Sequence, residues 1–311
     1  MATIQSFLSE IAPSSDEISQ VKTSWGAIRD AIEWKLDCIT SSKLTGSYIR
    51  WTKISPIDDL DIIFYMKWMG DTYLDWKNSD RKECKIYIKS DKYETHPLKN
   101  YVTIKDSKYY ISPNKVLNQI TAKIQEKYAT TPNIKRNWEC VTAYLSSYDL
   151  SIDCMPYTWV TDENYILIPT SWNDLYWKKS SPAIDEEKVN ELNDVNHFNG
   201  KFKWVIRIMK YWNKHKNTWV KFRSYVLESW IYQILKNKPS LYNSSYLELL
   251  KEVIKSIHNE PYHNITLDIP GYDYVLHPLS DDQWKKIQWI LETSWNKLNL
   301  GENNFITYLK S

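Results

Sequence analysis

Glycine is scarce in this chain, with six in 311 residues, so each one marks a place where the backbone needs freedom that other residues lack. Cysteine is scarcer still. Cys38, Cys84, Cys140 and Cys154 lie far apart, with no Cys-x-x-Cys pair and no neighbouring histidine cluster. That spacing favours buried thiols in a reducing cytosol over a disulfide framework or a zinc site. His258 and His263 are five apart, off the helical spacing of zinc ligands. No apolar run approaches 18 residues, and the N-terminus has no basic segment leading into an apolar core. The expectation is a cytoplasmic protein without membrane association. A net charge of +2 is too small for binding nucleic acid through overall charge, though it leaves room for a local basic patch. Repeats and low-complexity tails are absent.

What is present reads as a globular protein, 42% hydrophobic and 25% charged. The length suits two lobes sharing an interface, which we place at 1–182 and 183–311. The 16 Trp and 23 Tyr are treated as compositional bias.

Residues Ile4 to Ile11 predict a short helix closed by Pro13, and Ser14-Ser15-Asp16-Glu17 caps a longer one. In that second helix Ile18, Val21, Trp25, Ile28, Ile32 and Leu36 recur at three- and four-residue steps, as expected of a spine. Short β-rich pieces follow, including Cys84 to Ile88 and Tyr101 to Ile104. Ser112-Pro113 then opens a helix through Tyr128. Strands are expected at Trp138 to Leu145 and Leu150 to Tyr157, joined by a turn at 146–149. After Pro182 the pattern becomes helical, over 185–196, 201–216, 222–235, 247–257 and 283–298.

The stretch from Thr45 to Tyr65 holds the chemistry. A Gly46-Ser47 turn precedes a run in which Asp59 and Asp61 share one face of a strand and Leu60, Ile62 and Phe64 the other. Unit charges about 4 Å apart repel by roughly 4 kcal/mol at an effective dielectric near 20. A divalent cation removes that cost, and carboxylates suit Mg²⁺. Asp-x-Asp is also the pattern of a solvated strand edge. Asp153, on the later strand Leu150 to Tyr157, faces away from Ile152 and Cys154; it reads as a third acid or as a solubilising edge charge. The segment 201–216 sets Lys203, Arg207, Lys210 and Lys214 in a stripe whose default is a solvated face.

Taken together, Gly46-Ser47, Asp59-x-Asp61 and Asp153 resemble the signature of the DNA polymerase β-like nucleotidyltransferases. Asn190 to Asn196, RIMKYWNK at 207–214 and RSYVLE at 223–228 resemble the second lobe of the oligoadenylate synthetase and cyclic GMP-AMP synthase group. They are most similar to its bacterial members, the CD-NTases of CBASS anti-phage systems. The resemblance implies a bilobal α/β (α+β) fold: a mixed-sheet N-lobe with a long spine helix, facing a helical C-lobe, with nucleotides held between them. It implies that Asp59, Asp61 and Asp153 hold two Mg²⁺ or Mn²⁺ ions. By the same resemblance Gly46, Ser47, Lys210 and Ser224 grip the triphosphate, and Tyr225 stacks on a base. The implied reaction makes a cyclic di- or trinucleotide from NTPs, ATP among them, and releases pyrophosphate. The implied partners are a CBASS effector reached through the product and an RNA or protein activator. The alternatives are a nucleotidyltransferase that modifies RNA, protein or a small molecule, and a weakly catalytic RNA-binding sensor.

Three departures from the pattern stand out. Trp51 sits where relatives usually have glycine, Asp58 adds an acid beside the pair, and Ser180-Ser181 falls at the expected base-reading rim without naming a base.

Overall fold

The computed structural model describes residues 3–33, 35–67, 70–128, 133–137, 139–160, 165–170, 173–260, 266–269, 272–275 and 280–311, with backbone alone for 266–269 and 272–275. Trp138 and His263 lie outside them. Contacts divide the chain into a sheet unit, Ser15–Tyr48 with Ile57–Ala183, and a helical unit, Met1–Ser14, Ile49–Pro56 and Ile184–Ser311. The sheet unit ends at Ala183 and the helical unit resumes at Ile184. The helical unit also claims two early segments that a single cut assigns to the sheet.

Helix α1 (Ile4–Ile11) belongs to the helical unit, and α2 (Ser15–Ile32) lies wholly in the sheet unit. After Ile32, the N–H groups of Lys35 and Leu36 both return to its carbonyl, which closes the helix one turn before the expected Leu36. Strand β1 (Ile39–Thr45) and the single turn α3 (Gly46–Ile49) lead to β2 (Asp59–Met66). Next come β3 (Thr72–Trp76), β4 (Glu83–Ile88), β5 (Val102–Lys105) and β6 (Lys108–Ile111). Helix α4 (Pro113–Lys127) begins at the expected cap, where the Ser112 hydroxyl accepts from the Lys115 N–H. Strands β7 (Ile134–Arg136), β8 (Val141–Leu145), β9 (Leu150–Trp159), β10 (Ile166–Pro169) and β11 (Tyr176–Ser180) complete the sheet.

That sheet has 11 strands, with β1-β2-β9-β10-β11-β4-β6-β5 as its main path. Among the described residues β2–β9 is the one parallel pairing, so the sheet is mixed. One face is apolar and covered by α2 and α4: Val21, Ile28 and Ile32 meet Val116, Leu117, Ile120 and Ile124 over Leu60, Ile62, Phe64, Ile152 and Cys154. Each large aliphatic side chain buried this way contributes about 1.5–3 kcal/mol, which fixes the strand register and leaves the opposite face of β2 and β9 for other work. All four cysteines are buried free thiols, and burial pushes Cys38 and Cys84 up to about 12.

In the helical unit α5 (Pro182–Asn193) leads into α6 (Lys201–His215), α7 (Ser224–Lys236) and α8 (Tyr246–Asn259). A hairpin of β12 (Thr266–Ile269) and β13 (Tyr272–Val275) precedes α9 (Asp281–Asn299) and α10 (Glu302–Lys310). Its core joins α1 to α6 through α10 and includes Ile54 from the short early segment. No helix among the described residues is long and apolar enough to cross a membrane.

Candidate functional site

The period-two pattern of β2 puts Leu60, Ile62, Phe64 and Met66 into the core, and therefore turns Asp59 and Asp61 to the opposite face. Strand β9 lies parallel to β2 with Asp61 opposite Asp153 and Asp59 opposite Ser151. Partners in register share a face, so the three acids stand together at the N-terminal end of β2. Asp59 is exposed there, while Asp61 and Asp153 are half-buried. The ladder begins one residue earlier, where the Ser151 N–H donates to the carbonyl of Asp58, whose position is exposed. Farther along the same face Ile63, Tyr157, Ile166 and Ile168 form a small separate apolar cluster.

Two neighbours shape the acids. Gly46 has φ +70, and a Cβ built on it would overlap the Asp61 carboxylate, lying 2.8 Å from its Cγ. The glycine is thus required twice, by its backbone conformation and by the close approach of Asp61. Thr142, opposite Asp153 in the β8–β9 register, donates its hydroxyl to Asp153 Oδ1 at 2.6 Å and accepts from Asn137 Nδ2 at 3.0 Å. This relay holds one Asp153 oxygen. Ser47 follows Gly46 in α3 and is half-buried.

As a donor set, three carboxylates on one face suit a hard divalent cation. They have not converged into a closed cage. Among the described residues no group of three His, Cys, Asp or Glu is poised to hold a metal ion. An open set of this kind fits an ion that completes its shell with water and phosphate oxygens.

In the helical unit Lys210, near the middle of α6, is buried rather than on a solvated face. Its Nζ lies 2.5 Å from Glu228 Oε1 of α7 and 3.4 Å from Thr52 Oγ1. The other Glu228 oxygen accepts from Arg50 Nε at 2.9 Å. Burial would raise the Glu228 carboxyl, but the charges of Lys210 and Arg50 outweigh it and hold the group down at about 2. Burial lowers the Lys210 ammonium, Glu228 opposes that, and Arg50 and Lys53 add to it. The two partners of this pair therefore shift in ways that do not mirror each other, because Lys210 feels two other cations that Glu228 helps to balance.

Tyr225 follows in the first turn of α7, with its hydroxyl donating to Asp185 Oδ2 at 3.0 Å and its ring 5.9 Å below the Arg50 guanidinium. Ser224, the first residue of α7, is exposed. Arg207 of the same basic stripe is buried against the Trp204 ring at 4.3 Å, and burial brings it down to about 10. The structure thus groups the three acids with Gly46 and Ser47 in one unit, and Lys210, Ser224 and Tyr225 in the other.

Thr142, Asn137, Arg50 and Glu228 are contacts that sequence reasoning missed. A signal for Glu228 exists: it is a lone acid in α7 among Val226, Leu227, Trp230 and Ile231, all buried. Trp51 adopts φ 59, the left-handed conformation that suits glycine, and is 60% exposed between buried Arg50 and Thr52. Ser181 is buried just beyond β11.

Comparison with known proteins aligns with this geometry. Residues 1–105 match the family model of the Second Messenger Oligonucleotide or Dinucleotide Synthetase (SMODS) domain. A Bacillus cereus (strain VD146) protein described as a "probable cyclic nucleotide synthase" is 29% identical over 247 residues, 74% of this chain and 67% of that one. Among solved structures, CdnC of E. coli MS115-1 in complex with HORMA-deltaN superposes with a TM-score of 0.63 at 11% identity, over 98% of this chain and 94% of that one. CdnC with ATP gives 0.58 at 14%, over 94% and 89%. A STING-associated CdnE c-di-GMP synthase from Capnocytophaga granulosa gives 0.61 at 14%, over 95% and 83%. At those identities the structural likeness speaks for the fold.

Proposed function

We propose that the chain is a bacterial CD-NTase, a reading supported by the SMODS match over residues 1–105 and by the fold it shares with CdnC and CdnE, and that it joins NTPs into a cyclic di- or trinucleotide second messenger. In each step a ribose hydroxyl oxygen bonds to the α-phosphorus of an NTP, the bond to the bridging oxygen breaks, and pyrophosphate leaves. The final step is intramolecular and closes the ring. The observation that supports this reading most is the register of Asp61 with Asp153 on parallel neighbours, with Asp59 on the same face and Gly46 cut away to admit Asp61.

Two Mg²⁺ or Mn²⁺ ions held by Asp59, Asp61 and Asp153 would supply neutralisation of phosphate charge and an acidified hydroxyl. The remaining work belongs to the chain. Thr142 fixes one oxygen of Asp153 so that its carboxylate keeps a single orientation. Ser47 and the backbone of Gly46 bind the triphosphate, with Lys210 and Ser224 as further phosphate ligands. Lys210 is suited to that task because burial strengthens a charge contact. Tyr225 presents a ring for a base, a contact of about 1–3 kcal/mol by analogy with single-strand binders.

That CdnC was solved with ATP supports ATP among the substrates, and its complex with HORMA-deltaN supports a protein activator. The setting we propose is cytoplasmic anti-phage (CBASS) signalling, with an effector reached through the product. The test is incubation with all four NTPs and Mg²⁺ or Mn²⁺, phosphatase treatment and mass spectrometry. A phosphatase-resistant cyclic product is expected. Label transferred to a macromolecule, or no product, overturns the reading. Asp59→Asn with Asp61→Asn should abolish the product while the circular dichroism spectrum stays unchanged; retained synthesis removes the acids from the site.

A further inference from the structure

The helical unit contains an ion triad that the site assignment above leaves unexplained. Arg50, Lys210 and Glu228 have side chains only 8%, 6% and 4% exposed. Two cations share one carboxylate, each taking a different oxygen. The three groups sum to +1 in a buried place; Lys53, also buried, adds to that charge, and Asp185, which acts on both Arg50 and Glu228, offsets it. Burying charge in this way costs several kcal/mol per ion before pairing offsets it, and apolar residues of similar volume often hold a core as well. Packing alone gives no reason for the triad.

Glu228 and Thr52 engage two of the three donors of the Lys210 ammonium. They thereby aim the third. Arg50, gripped by the same Glu228, lies over the Tyr225 ring, so a single carboxylate stations both the lysine and the cation above the aromatic.

Resting on the proposed nucleotide site, we propose that Glu228 is a positioning residue for the NTP triphosphate: untouched by the nucleotide, it keeps Lys210 charged and aimed at phosphate oxygens and keeps Arg50 over Tyr225. Without the carboxylate, Lys210 would face Arg50 and Lys53 without its nearest counter-charge. Burial and those two cations then favour loss of its proton or its withdrawal, and either outcome weakens phosphate binding without touching the acids of the sheet unit.

The experiment compares wild type, Glu228→Gln, Glu228→Asp, Lys210→Ala and the double variant Lys210→Ala with Glu228→Gln. Equilibrium titration with a fluorescent ATP analogue is set beside steady-state kinetics and thermal melts. Glu228→Gln should weaken ATP binding and raise KM about tenfold or more while kcat changes less than about threefold. Glu228→Asp should recover part of the loss, and the double variant should bind no worse than Lys210→Ala alone, as members of one unit do. Unchanged binding in folded Glu228→Gln, or additive losses in the double variant, overturns the proposal. If Glu228→Gln melts below the assay temperature, Glu228→Asp decides: normal binding overturns the proposal, and binding weakened at an unchanged melting temperature supports it. A wild type that binds ATP but forms no cyclic product defeats the proposed function while the positioning role stands. A wild type that binds no ATP overturns both.

Discussion

Replacing Gly46 with alanine tests the close approach between the glycine turn and Asp61. The added Cβ would lie 2.8 Å from Asp61 Cγ and 3.3 Å from Asp61 Cβ, and nearer still to Oδ2. Two costs arise. At φ +70 an L-residue is disfavoured by about 1–2 kcal/mol. The overlap must also be relieved, and since the three nearest atoms belong to one side chain, the least expensive relief is rotation of Asp61 off its present orientation. The fold should survive: Tm should drop by only about 2–8 °C for a loss of about 1–2 kcal/mol in a chain of this size. Activity should not survive at the same level, because a displacement of about 1 Å at a reacting centre can cost about a hundredfold. Product formation at saturating NTP and metal would be measured beside a melting curve. The same substitution in an Asp61→Ala background isolates the contact. There the carboxylate is gone and only the 3.3 Å approach to Cβ remains, so Gly46→Ala should cost about 1 kcal/mol less than in the wild type. A Gly46→Ala enzyme with wild-type rate, or equal costs in the two backgrounds, would refute the requirement.

Three further outcomes follow from the same geometry. Thr142→Val keeps the β-branched shape but removes the donor to Asp153, and kcat should fall about tenfold, equivalent to about 1.4 kcal/mol, with little change in KM; a larger effect on KM would assign Thr142 to substrate binding instead. Trp51→Gly should relieve the left-handed backbone and raise stability by up to about 1 kcal/mol, or Tm by about 2–4 °C in calorimetry, and a lower Tm would mean that the indole packs. Glu228 is held at about 2 in the folded chain against an ordinary value of 4.5, so the stability it contributes is complete above the unfolded value and lost as pH falls from there towards 2. Wild type should lose stability between pH 5 and pH 3 more steeply than Glu228→Gln, by up to about 2 kcal/mol, and parallel curves would exclude the linkage.

The sequence pattern foretold the elements whose partners are local. The alternation at 59–66 forms β2 and turns Asp59 and Asp61 to one face, and Ser112-Pro113 opens α4 where expected. The apolar stripes of α1, α6, α7, α8 and α9 also became helices close to their expected bounds. What escaped reading depends on distant partners. Strand β1 has too mixed a pattern, ITSSKLT, to declare itself until β2 pairs with it. Residues 49–56 carry no boundary signal, yet Ile54 joins the helical core and Arg50 finds Glu228 178 residues later. The stripe through Arg207 and Lys210 has the spacing of a solvated face, and only tertiary contacts reveal that both are buried. In the same way Gly46 read as a turn; its second reason, the space taken by Asp61, belongs to the folded sheet.

The parallel pairing of β2 with β9 has a consequence in time. Asp61 and Asp153 are adjacent across the ladder but 92 positions apart along the chain, and the crossover between them contains β3 to β8 and α4. Closing a loop of that length costs about 4 kcal/mol in chain entropy before any contact rewards it, so such pairings form late. A nascent chain that has made Asp59 and Asp61 but not yet β9 holds only two ordinary acids. On the proposed function, synthesis is thereby tied to completion of the sheet, and truncated or half-folded copies would stay silent.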